Sequence, residues 1–421
     1  MTNLRWRIAG VIYLGMALNY LDRQVLSILA PEIRDSFQLT NSDYAHIVFA
    51  FQLAYLLSSG AGGRLADWLG VRLGYAAMMV FWSVASALHA AAAGVGSLMA
   101  FRFLLGLGEG GAFPACAKAM SEWFPRKERA LAMGFINGSL SLGGILAPPL
   151  TAVLALRFGW RAAFLVIASL GFLWLAVWLP SYRSPRQHPR LGAEEWAHID
   201  DGERESADEP AGAPPGDVLR FPQMWALLAA RLIADPPWQF YLFWLPEYLR
   251  RERGMQLAEI GMLAWLPFLA GAIGGAAGGW ASGRLIRSGM DAVRARKIAM
   301  SAAATLMPAG IAAALAPNGW WAVAWVSVAA AGHNAWVSNA QTLPADVLPA
   351  RVVGTAVGIS QMAGYCGNLA ATLVTGYVLD RFSYLPVFVV AGLLHPLATV
   401  VLLAGFVRVG RVADHFRAQP R

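Results

Sequence analysis

The chain has 421 residues, 57% of them hydrophobic and 14% charged, with a formal net charge of +8. Soluble domains average about 25% charged residues, so the composition excludes a water-soluble globule and indicates an integral membrane protein. The excess of positive charge is read first as a signal of topology, and nucleic-acid binding is not expected.

Apolar stretches long enough to cross a bilayer core of about 30 Å recur along the chain. They lie near 8–30, 44–63, 73–93, 97–119, 131–154, 161–180, 221–246, 257–280, 296–316, 320–343, 352–378 and 384–407, which predicts an all-α protein with twelve transmembrane helices. The opening "MTNLRWRIAG" places basic residues before an apolar run but is followed by no small-residue cleavage site, so it reads as the start of the first span. Basic loop residues collect on one side when both termini are cytoplasmic, which sets the expected orientation. The polar interval 181–217 divides the spans six and six. The predicted organisation is therefore an N-terminal bundle (1–180), a cytoplasmic linker (181–220) and a C-terminal bundle (221–421). Within the linker, "AEEWAHID" suits a short helix, and Glu194 and His198, four residues apart, read as solvated surface. Cys116 and Cys366 fall inside predicted helices, so neither a disulfide framework nor a thiolate metal site is indicated, and no metal or cofactor is expected.

Charges inside the spans carry the chemistry. On helix 1, Asn19, Asp22 and Arg23 stand at i, i+3 and i+4 and share a face. A charge at membrane depth is costly enough to face a cavity or a partner. On helix 4, Arg102 and Glu109 are two turns apart on one face. Arginine offers a carboxylate a permanently charged planar fork. A buried carboxylate can bind or release a proton as a neighbouring cation or the site's occupancy changes. The competing reading is a static set of buried salt bridges, which would be a weak stabilising device. For Arg102 an anion contact and a structural role stay equally open. The glycines of "GLGEGG" around Glu109 follow no strand and so do not form a phosphate cradle. No nucleophile–base pair or HExxH set stands in any helix, so an enzyme is not expected.

After helices 2 and 8 come "GGRLADWLGVR" (62–72) and "GGWASGRLIRSG" (278–289), an echo between halves of the kind from which many transporters are built. The first resembles the loop 2–3 signature of the major facilitator superfamily, with Gly63, Asp67, Gly70 and Arg72 in place; the second departs from it, with Gly283 near where an acid often stands. That resemblance implies a gating role for the four residues and the two-bundle fold. "NYLDR" (19–23), "RFLLGLGEGGAFPA" (102–115) and "WFPRKERALAMGFINGS" (123–139) together resemble the anion:cation symporter branch. The implied roles are proton coupling for Asp22 and Glu109 and substrate-anion contact for Arg23.

The segments 230–249 and 339–368 resemble hexuronate transporters. Pro236 and Pro237 predict a break in helix 7, next to Trp238, Gln239, Tyr241 and Trp244. A sugar acid needs amides and phenols for its hydroxyls and aromatic faces for its C–H surface. Candidate contacts are Tyr20, Tyr55, Asn19, Gln239, Trp238, Gln361 and Asn368, of which Tyr20, Tyr55 and Asn368 match sugar-acid-binding positions in that family. His333 is either a cavity residue or a hydrogen-bonded structural one. Arg231 and Asp235, at i, i+4, are expected to satisfy each other, and Asp346 to serve a gate or cap. The expectation is a monomeric, proton-coupled importer of a hexuronate in a bacterial inner membrane. Its partners would be the sugar-acid anion, protons and the lipid bilayer. An aldonate or aldarate carrier, or a membrane sensor signalling through the linker, is the alternative.

Overall fold

The computed structural model describes residues 3–206, 218–348 and 350–406. Part of the predicted linker (207–217) and the C-terminal stretch 407–421 lie outside the described residues. The described chain is all-helical. Its elements are α1 (Leu4–Ile28), α2 (Ala30–Phe37), α3 (Asn41–Leu88), α4 (Val95–Glu109), α5 (Ala112–Trp123), α6 (Arg126–Phe158), α7 (Trp160–Ser181) and α8 (Ala193–Ser206). They continue with α9 (Pro222–Ala234), α10 (Pro236–Arg251), α11 (Leu257–Leu263), α12 (Leu266–Arg287), α13 (Ala292–Ala304), α14 (Ala309–Ala314), α15 (Gly319–Val347), α16 (Ala350–Arg381) and α17 (Tyr384–Gly405).

Among the described residues, six helical runs are long and apolar enough to cross a membrane: Arg64–Ala91, Lys127–Phe158, Trp160–Ser181, Leu257–Arg287, Ala292–Ala314 and Tyr384–Gly405. The helices that carry the buried charges singled out above, α1, α4 and α9, are not among them. Helix interruptions have local causes. Gly70, at φ 72 and ψ 158, breaks α3 where the sequence places a loop between two spans, a conformation that only glycine adopts without strain. The predicted fourth span was read as continuous, yet it divides at Gly110 and Gly111. Pro114 has no N–H to give the Gly110 carbonyl, so the ladder fails one turn after Glu109. The prolines at 236 and 237 separate α9 from α10 as expected.

Two compact units emerge. The first comprises Met1–Glu209 with Phe243–Trp265, and the second Pro210–Leu242 with Leu266–Arg421. The core of the first is aromatic: Tyr75 meets the edges of Trp174 and Trp178, which stack at 4.9 Å, and Trp82 and Trp123 are fully buried. Helix α8 closes one end of this unit. Glu195 accepts from the backbone N–H of Leu4 and Arg5, and Arg5 bridges Glu195 and Glu128. His198 is not mere linker surface, because its ring meets Glu128 at 3.0 Å. At another place in the unit, Glu247 pairs with both Arg34 and Arg251, and Arg251 also holds Asp35. The second unit packs Trp336, Met300, Leu343 and Leu402 at its centre. Cβ atoms at Gly274 and Gly278 of α12 would collide with the backbone of Ala331 and Ala335, so glycine is what lets α12 and α15 touch.

Candidate functional site

In the first unit the charges of α1 and α4 meet. Nε and Nη2 of Arg23 donate to one oxygen of Glu109 at 3.1 and 2.9 Å, and Nη2 also reaches Asn19 at 3.4 Å. Three rings surround the guanidinium: its carbon lies 5.3 Å from the Tyr20 centroid, 5.1 Å from Phe51 and 4.6 Å from Tyr55. Cation–π attraction is strongest when the cation is desolvated, as here. The approach depends on glycines. A Cβ at Gly106 would strike the Phe51 carbonyl, and one at Gly110 would strike Ser58 and the Tyr55 carbonyl, so α4 lies directly on α3 only because both are bare.

Asp22 and Arg23 are chain neighbours with different partners. Asp22 accepts from the Ser86 hydroxyl of α3 at 2.8 Å rather than taking an arginine. Thus Asn19 and Arg23 share a contact as their spacing predicts, while Asp22 turns aside. Arg102 sits mid-helix and only 1% exposed. It donates to the Arg23 carbonyl at 3.1 Å, which fixes the backbone beneath the ion pair. Its Nε and Nη1, the second oxygen of Glu109 and the Asn19 amide nitrogen are buried without hydrogen-bond partners among the described residues. Such atoms are expensive to leave unmatched, and here one belongs to the ion pair itself, one to the Asn19 that contacts it, and two to the arginine bonded to its backbone.

The second unit holds its own polar cluster. Arg231 and Asp235, the C-cap of α9, pair at 2.8 Å beside the α9–α10 break. The Trp238 ring stacks on His333 at 5.5 Å and 8°, and Nδ1 of His333 lies 3.1 Å from Nε2 of His395. Asp235 packs where a Cβ at Gly364 of α16 would collide with it, and one turn further along α16 Asn368 is buried with its side-chain oxygen unpaired. Gln239 also keeps an unpaired oxygen, and Gln361 is half-buried on α16. Trp244 belongs to the first unit, edge-on to Tyr44 at 5.0 Å.

The α3 break carries the loop signature. Asp67 pairs with Lys118 at 2.6 Å, and Arg72 donates to the Leu179 carbonyl at the end of α7. Gly63 lies in the run 60–63, whose surroundings are outside the described residues. In the second unit Asp346 pairs with Arg296 at 3.2 Å, and Arg296 also donates to Ser282. The acid there stands at the end of α15 and the base near the start of α13, so the polarity of the first pair is exchanged. Sequence reasoning missed Ser86, Lys118, Arg296 and His395. A lone serine or histidine in an apolar helix gives no periodic signal, and Lys118 and Arg296 stand 51 and 50 residues from Asp67 and Asp346, so those pairings depend on how helices dock.

Comparison with known proteins is consistent with this architecture. Residues 12–367 match the family profile described as Major Facilitator Superfamily. The hexuronate transporter of Escherichia coli (strain K12) is 31% identical over 403 residues, covering 95% of this chain and 93% of its own. The galacturonate transporter of Dickeya chrysanthemi is 33% identical over 279 residues, covering 66% of this chain and 81% of its own. Among solved structures, a bacterial homolog of the human lysosomal transporter Spinster, inward-facing and occupied, superposes with a TM-score of 0.75 at 19% identity and covers both chains completely. The chain belongs to the Major Facilitator Superfamily, as a multi-pass membrane transporter and not an enzyme.

Proposed function

We propose that the protein imports a sugar-acid anion, specifically a hexuronate such as glucuronate or galacturonate, in symport with protons across a bacterial inner membrane. The proposed organisation is twelve spans with both termini cytoplasmic, in two six-helix bundles (1–180 and 221–421) joined by the 181–220 linker and acting as a monomer by alternating access. The observation that carries this reading is the Arg23–Glu109 pair, buried among three aromatic rings beside unmatched polar atoms. The relatives that transport hexuronate and galacturonate support the substrate class.

The chemistry is a competition for one guanidinium. In the resting site Glu109 neutralises Arg23. An arriving carboxylate takes the same fork, and Glu109, released, accepts a proton, so Arg23 keeps one anionic partner throughout and no uncompensated charge is buried. Arg102, with two unmatched N–H groups beside the pair, supplies further donors to the incoming anion while holding the Arg23 backbone. Tyr20 and Tyr55 flank the fork and present ring faces to the sugar, and Asn19 steadies Nη2. Asp22, against Ser86, is the second proton-coupling acid. Gln239, Gln361 and Asn368 are assigned to sugar hydroxyls, and Trp238 and His333, stacked on each other, are assigned as further substrate contacts. Gly63, Asp67, Gly70 and Arg72 form the gate loop, closed by Lys118. With one proton per monovalent anion no net charge moves, whereas a second proton would add about 2.3 kcal/mol of drive per 100 mV.

Uptake of labelled glucuronate into proteoliposomes, with unlabelled galacturonate, galactonate and galactarate as competitors, tests the assignment. Accumulation competed by galacturonate alone supports a hexuronate carrier. Competition by galactonate or galactarate instead identifies an aldonate or aldarate carrier, and binding without accumulation identifies a sensor.

A further inference from the structure

The first unit carries a second basic site, away from the ion pair. A pocket of about 520 Å³ opens at the end of the unit where α1 begins and α7 ends, and Arg7, Arg183 and Arg190 line it together with His188. None of the three guanidinium groups pairs with an acid among the described residues. Three of the described acids at this end have other partners: Glu128 and Glu195 hold Arg5, Glu128 also meets His198, and Glu122 accepts from Tyr182. Among the described residues the pocket therefore presents three guanidinium groups with no acid partner.

Apart from Ser181, its other walls are apolar. Ile8, Val11 and Pro180 line it, and they stand at the very ends of the predicted spans 8–30 and 161–180. From the pocket, two exposed stripes run along the helices. On α1, Arg7, Val11 and Leu14 follow at i, i+4 and i+7, with Leu14 53% exposed. On α7, Pro180, Val177 and Leu173 repeat the spacing, with Val177 and Leu173 at 52% and 64% exposed. The indole of Trp174 donates to the Val11 carbonyl at 2.8 Å and fastens the two helices together. Seven residues of helix rise about 10 Å, so each stripe reaches well into hydrocarbon from a basic mouth.

We propose that this pocket binds the phosphate headgroup of an anionic phospholipid of the leaflet it faces, with the acyl chains along the two stripes. A soluble phosphate would use the arginines but not the exposed apolar tracks that continue from them, which is why a lipid is the occupant. Basic pockets at the ends of spans hold anionic headgroups in this way, each basic residue contributing modestly.

Native mass spectrometry of the purified full chain, titrated separately with phosphatidylglycerol and phosphatidylethanolamine, tests it. Wild type should prefer phosphatidylglycerol. Each of Arg7→Gln, Arg183→Gln and Arg190→Gln should weaken that lipid about fivefold and the triple variant about a hundredfold, with phosphatidylethanolamine unchanged. The triple Arg→Lys variant, which keeps the charge, should retain most of the affinity and serves as the test if the triple Gln variant does not fold. No preference in wild type, undiminished phosphatidylglycerol binding in the triple Gln variant, or a hundredfold loss in a folded triple Lys variant overturns the proposal. Complete displacement of the lipid by millimolar glycerol phosphate also overturns it and makes the site one for soluble phosphate.

Discussion

The two units each bury an arginine–carboxylate pair, and the pairs are built differently. Arg231 and Asp235 are four residues apart, bonded beside one helical break. Arg23 and Glu109 are 86 residues apart, on helices whose contact depends on bare glycines. A local pair forms with its own helix and has few ways to separate. A pair assembled between two helices can separate without unwinding either one. Unmatched polar atoms accompany both pairs, but only the first is enclosed by aromatic rings on its cation. On the function proposed above, the Arg23–Glu109 pair is the one that exchanges and the Arg231–Asp235 pair the one that holds the broken helix in register.

The largest effect is expected at Arg23. Arg23→Gln should abolish uptake, by about a hundredfold or more, and destabilise the fold by about 3–5 kcal/mol because Glu109 is left buried and alone. Adding Glu109→Gln should restore thermal stability and leave uptake absent, which separates the structural loss from the functional one. Glu109→Gln alone should keep counterflow exchange of substrate while losing accumulation against a gradient. In the second unit, Arg231→Gln with Asp235→Asn should recover both stability and uptake, since removing both partners of a pair costs far less than removing one. Double-mutant cycles read by unfolding and by transport would show it, and a double variant that folds without transporting would erase the distinction between the two pairs. The smallest effect is expected at the gate. Asp67 is mostly exposed, so Asp67→Asn should change stability by less than about 1 kcal/mol yet slow uptake. Unchanged uptake would remove the gating role.

Much of the fold was legible because span length and hydropathy are local properties, and the Pro236–Pro237 break announced itself by residue type. The break after Glu109 was not, since Pro114 acts four residues back, on a carbonyl, where no pattern marks it. The site was legible as a set of helix faces: Asn19 and Arg23 meet, and Arg231 takes Asp235. Partner identity across helices was not legible. That Glu109 takes Arg23, that Asp22 takes Ser86 and that His333 finds His395, 62 residues away, depends on how helices dock. Side-chain spacing within one helix carries no record of that. His198 shows the same limit at the linker, where a solvated position in sequence becomes a contact to Glu128.

The most direct measurement is proteoliposome transport of glucuronate by wild type and Glu109→Gln, with an inward proton gradient imposed or absent. The account predicts that wild type accumulates substrate only with the gradient, and that the variant exchanges internal for external substrate but never accumulates it. Gradient-driven accumulation by the variant would contradict the assignment of Glu109, and gradient-independent accumulation by wild type would contradict proton coupling itself.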